Sequence, residues 1–126
     1  MKKRMNLVAT ASTFGGGLNV VAVSVTDDSG DPVEGLSKGH FHLTALSWPG
    51  SWIGKQSLTF KDVSMPVPGF YAFNLNDEKG NGLSPGHYTI AIAMSGNAPG
   101  SGPLTQQITG QTLVTLLALQ NLPPIS

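Results

Sequence analysis

The chain has 126 residues, with seven basic and seven acidic side chains, three histidines and no cysteine. The missing cysteines exclude disulfides, thiolate metal sites and a cysteine nucleophile, and the balanced charge offers no one-signed field for nucleic acid or an anionic membrane. Sixteen glycines and nine prolines without a repeat period, beside 40% hydrophobic residues, describe many turns around a core rather than collagen or disorder.

A chain of this length makes one domain, 1–126, and buries about two thirds of its unfolded surface. Only 11% of the residues are charged, where about 25% is usual. Ser, Thr, Asn, Gln and Gly must therefore form much of the surface. A net charge of zero lowers colloidal repulsion and is compatible with self-association.

The opening MKKRMNLVATASTFGGG reads as a genuine start and imitates a signal peptide. Its apolar run, MNLVATA, is interrupted by Asn6 and Thr10, whereas an h-region needs about 7 to 15 apolar residues in succession. Residues 5–12 are expected to form a first strand instead. No stretch approaches the roughly 18 apolar residues of a transmembrane helix, and nothing assigns a compartment.

The dominant period is two. Val21, Val23 and Val25 share one face of VAVSVT and Ala22, Ser24 and Thr26 the other, the alternation of a half-buried strand. The turn-rich VTDDSGDPVEGL follows. HFHLTAL places Phe41, Leu43 and Ala45 opposite His40, His42 and Thr44; the pattern then slips to Leu46 and Trp48, the signature of a bulge or a strand end. Further strands are expected at 57–63, at 70–76 with Tyr71, Phe73 and Leu75 in line, at 87–95 with Tyr88, Ile90, Ile92 and Met94, and at 103–109 and 111–119. The last segment, QTLVTLLALQ, is apolar on both sides; its threonines and missing caps favour a central strand over a buried helix. Seven or eight short strands without a helix-length crossover predict an all-β, antiparallel β-sandwich. No internal repeat is evident.

VSVTDDSGDPVEGL resembles the opening hairpin of immunoglobulin-like and transthyretin (prealbumin)-like sandwich modules. GFYAFNLN followed by LSPGHYTIAIAM is similar to their later strands. The resemblance spans roughly residues 18 to 95. It implies a corner role for Tyr88, with its hydroxyl tied to upstream backbone, and puts Ile90 where antibody-type domains carry a cysteine. One enzymatic branch of the transthyretin-like group hydrolyses 5-hydroxyisourate and ends in Tyr-Arg-Gly-Ser. This chain ends NLPPIS and has no arginine after Arg4, so that activity is not carried over.

Three stretches are candidate sites. Asp27, Asp28, Ser29, Asp31 and Glu34 bring the oxygens that a hard cation needs, but they lack the EF-hand frame. Turn formation explains each of them, with Gly30 supplying positive φ and Pro32 fixing the return. His40 and His42 fall on one side of a strand, within reach of one zinc or copper ion, and His87 would complete a three-histidine site if the two strands were neighbours; solvated imidazoles are the plainer reading. Trp48 and Trp52 in SWPGSWIGK are candidate partner contacts or a sugar-stacking platform, with Trp48 also fitted to lid the core. Gly50 to Gly54-Lys55 imitates a phosphate loop, but the spacing is one residue short and Gln56 stands where Ser or Thr is required.

No nucleophile elbow, carboxylate pair or phosphate clamp points to catalysis, and no cofactor is implied. The expectation is a non-catalytic binding or assembly module. It would offer the 47–55 and 96–103 loops and its edge strands to a protein partner or another copy. The alternatives are a carbohydrate-binding module using Trp48 and Trp52, and a metal-binding protein using His40, His42 and His87.

Overall fold

A computed structural model describes residues 2–14, 18–50, 54–63, 67–98 and 106–118. In chain order the strands are β1 (Lys2–Arg4), β2 (Asn6–Phe14), β3 (Leu18–Thr26), β4 (Phe41–Ser47), β5 (Gln56–Ser57), β6 (Thr59–Val63), β7 (Phe70–Asn76), β8 (Gly86–Asn97) and β9 (Gln107–Ala118), with one 3-10 turn at Lys38–His40. They form two sheets, β1-β9-β8-β4-β5 and β2-β3-β7-β6. The chain is all-β and sandwich-like. Among the described residues no helix is long and apolar enough to cross a membrane.

The two-residue alternation decides which side chains are buried. Val21, Val23 and Val25 on β3 meet Phe41, Leu43 and Ala45 on β4 and Tyr88, Ile90, Ile92 and Met94 on β8 in one core. Each of the valine, leucine, isoleucine, methionine and phenylalanine side chains contributes about 1.5–3 kcal/mol by leaving water. A row of rings crosses the core. Tyr71 and Phe73 lie 5.4 and 5.0 Å from Phe41, and Phe60 lies 4.9 Å from Phe73, all tilted or edge-on, the arrangement aromatic quadrupoles favour. At the rim Lys38 places its ammonium 5.3 Å from the Phe60 ring centre, a cation–π contact.

Two single residues carry the chain from one sheet to the other. Met5 separates β1 from β2 and Leu58 separates β5 from β6. Each is 5% exposed. Each still ties its N–H to the sheet it leaves, Met5 to Thr109 O at 2.7 Å and Leu58 to Leu43 O at 2.9 Å. Burying one apolar side chain at the crossing pulls the strand inward and closes that flank of the stack. The expected 57–63 strand is therefore two pieces in different sheets.

Other boundaries also differ from the expectation. The described residues form nine strands, and β1 pairs parallel with β9 through Lys2–Gln107 to Arg4–Thr109, so the ladders are not all antiparallel. Of the strands expected at 103–109 and 111–119, the described part is a single strand, β9, running through Gly110, while residues 103–105 and 119 lie outside the described residues. A Cβ at Gly110 would come within 2.4 Å of Leu7 Cδ1, so glycine here permits a close approach between strands rather than a turn. The slip after Ala45 is a register shift between Ala45 and Ser47 against β8.

Candidate functional site

VTDDSGDPVEGL is a turn held by its first aspartate. Asp27 Oδ1 accepts the N–H groups of Ser29 and Asp31 at 2.9 and 3.0 Å, Gly30 N–H donates to Asp27 O, and Asp27 N–H donates to Asp31 O. The same four bonds recur at Asp77, whose Oδ1 accepts from Lys79 and Asn81 at 2.9 and 2.8 Å, with Gly80 and Asn81 in the places of Gly30 and Asp31. Gly30 and Gly80 both have φ 86°, a conformation in which a side chain is strained. The chain thus uses one D-x-x-G-[DN] turn twice, a local repetition that the sequence reading passed over. One oxygen of each lead aspartate is already filled by two amides. Asp27→Ala and Asp77→Ala are each expected to cost about 1 kcal/mol, additively because the turns are separate. Calcium is expected to leave the melting temperature unchanged; a rise on titration would contradict the turn assignment.

The three histidines do not converge, although β4 and β8 are indeed neighbours. The antiparallel register sets His42 opposite Ala93 and His87 opposite Leu117, and six residues of β8, roughly 20 Å, separate those rungs. His40 sits in the 3-10 turn with both ring nitrogens engaged. Ser37 N–H donates to Nδ1 at 3.1 Å, which leaves the proton on Nε2, where it is donated to Asn97 O at 2.9 Å. The ring is thereby a strap between the turn and the end of β8. Among the described residues no group of three or more His, Asp or Glu is placed to hold a metal ion.

Trp48 is half-buried and packs on the core. Its ring also covers Gly54, where a Cβ would come within 2.6 Å of Trp48 Cη2, and Gly54 N–H bonds Leu46 O. The indole therefore closes its own loop. Trp52 lies outside the described residues, as does most of the 96–103 stretch.

The two tyrosines act as ties. Tyr88, 4% exposed, donates its hydroxyl to Ser84 O, four residues upstream, at 2.7 Å. Tyr71 donates to Val33 O at 2.5 Å and accepts from Leu36 N–H at 3.1 Å. Burial pushes both phenols above the ordinary 10.0, with Glu34 and Asp77 nearby adding to Tyr71 and Tyr88 respectively. A raised folded value means the neutral form is bound more firmly in the native state. Stability is thus expected to be full below about pH 10, the unfolded value, and to fall as pH rises through the native values. Tyrosinate absorbance of the native protein should inflect at higher pH than that of the urea-unfolded chain, and coincident curves would contradict the burial of the two phenols.

The outer face of the five-stranded sheet presents large apolar side chains to solvent. Pairing sets Leu113 beside Ala91, Thr115 beside Thr89, Leu117 beside His87 and Gln111 beside Ala93, with Thr44 and His42 of β4 next to Ala91 and Ala93. Leu113 is 62% and Leu117 46% exposed. No outward residue of β4, β8 or β9 is Asp, Glu, Lys or Arg, and none of these residue types follows Lys79 anywhere in the chain. That charge-free tail was a readable signal. Beyond Thr109, where β1 ends, no strand among the described residues is hydrogen-bonded to the outer side of β9. Natural edges are normally guarded by charge, and this one carries none. No protein-family model, curated protein or solved structure matches the chain.

Proposed function

We propose that the chain is a non-catalytic, immunoglobulin-like binding module that meets a protein partner through the β4–β8–β9 face and the adjoining edge of β9. The observation that carries this reading is the pair Leu113 and Leu117, well exposed beside strands β4, β8 and β9 that carry no Asp, Glu, Lys or Arg. Such a face is costly to leave in water, and uncharged patches of this kind mark contact surfaces. The ties made by Tyr71, Tyr88, His40 and the two aspartate turns give it a rigid backing. Strand order supports the immunoglobulin-like over the transthyretin-like form. With β2 to β9 lettered A, B, C, C′, D, E, F and G, the sheets read A-B-E-D and G-F-C-C′, the arrangement of that fold.

A photoactivatable side chain at Thr115, on the proposed face, should give a covalent adduct with a protein. The same group at Ser12, exposed on β2 of the other sheet, should give none. Equal labelling from both positions, or none from Thr115, would sink the reading.

A further inference from the structure

We infer that the partner on this face is a second copy of the chain, packed face to face about a two-fold axis. The inference rests on the binding-module reading and names its occupant. A two-fold interface requires one patch to contain both the projecting and the receiving groups, and this patch does. Leu113 projects from β9, and directly across the ladder Ala91 leaves a shallow place on β8. An axis passing between Leu113 and Ala91 seats each leucine over the other copy's Ala91. Running parallel to the strands, the same axis brings Thr115 over Thr89 and Leu117 over His87 of the opposite copy. Every one of these meetings is free of Asp, Glu, Lys and Arg, so none of those charges is left buried and unpaired.

The size of the face agrees. β8 and β9 have 12 residues each and β4 has seven, which gives roughly 500 Å² in projection at ordinary strand spacings. Side-chain relief brings this toward the about 800 Å² per partner of a standard specific interface. The charge balance agrees as well. Seven cations and seven anions leave two copies with no net repulsion to overcome, and none of the fourteen lies on β4, β8 or β9.

Sedimentation equilibrium of the full chain is expected to show a dimer with a dissociation constant in the micromolar range. Because no ion pair forms, tenfold more salt should shift that constant by less than about twofold. Leu113→Arg and Thr115→Arg should each leave a monomer, while Val8→Arg, exposed on the other sheet, should remain dimeric. Thr115→Arg keeps both leucines and carries the test should Leu113→Arg fail to fold. A wild type that stays monomeric across the micromolar range, a Thr115→Arg dimer, or a dimer that salt dissociates would each overturn the inference. The cross-linking experiment separates the two claims. Adducts from Thr115 only to a different protein reject the second copy but leave the module, and absence of any adduct rejects both.

Discussion

Phe73→Ala is expected to lower the unfolding free energy by about 3–5 kcal/mol, the range for deleting a buried ring from a core that cannot collapse around the gap. Phe73 is 2% exposed and its ring touches both Phe41, from the opposite sheet, and Phe60, from its own. Removing it breaks the row of rings at its centre and leaves two neighbours without an edge to pack on. Domains of this size have about 5–15 kcal/mol in all, so the variant should sit near the limit of folding at physiological temperature. Guanidinium unfolding of Phe73→Ala beside Phe73→Leu measures the effect. The leucine variant keeps most of the volume and should cost clearly less. Equal losses in the two would mean that the ring row contributes no more than any apolar filler.

Tyr71→Phe should cost about 2–3 kcal/mol with little change in shape. The hydroxyl is the only part removed, yet it serves Val33 O and Leu36 N–H at once, and Leu36 is itself buried behind it. Both backbone groups lose their partner, and the half-buried position gives water only partial access to replace it. The connection from β3 to the 3-10 turn is tied by this oxygen at Val33 and Leu36, beside the bond from Val33 N–H to Val25 O of β3. Amide exchange separates this from a general loss of stability. Leu36 should exchange about tenfold faster relative to Ile90 in the variant than in the wild type, whereas a uniform change across both sites would contradict the tie.

How much of this was legible beforehand depends on the range of the interaction. β3, β7 and β8 announce themselves because inward and outward positions alternate in Val21–Val25, Phe73–Leu75 and Tyr88–Met94, and a core on one side is enough to explain that. The turn at Asp27 was legible for the same reason, since its bonds close within four residues. Leu58 was not, because alternation continues unbroken through a residue that moves the chain from one sheet to the other. Gly110 read as a break, since glycine usually marks a turn, and only the approach of Leu7 from a distant strand explains it. The β1–β9 pairing leaves no local trace. For the binding face, QTLVTLLALQ shows apolar residues on both sides, but only the register with β8 shows that Leu113 and Leu117 point out and Val114 and Leu116 point in. The histidines illustrate the converse. Neighbouring strands were necessary for convergence, and the register was what forbade it.

The parallel pairing of β1 with β9 also has a kinetic meaning. Among the described residues the first strand, β1, is paired with the last one, β9, and the N–H of Met5 waits for the carbonyl of Thr109. During synthesis on a ribosome the earlier strands can collapse in pairs, but one flank stays unsealed until the final strand emerges. Closing so long a loop late is entropically slow, and folds dominated by such distant pairings mature in milliseconds to seconds rather than microseconds. A chain stopped before Gln107 would expose Met5 and the bare side of β8 together.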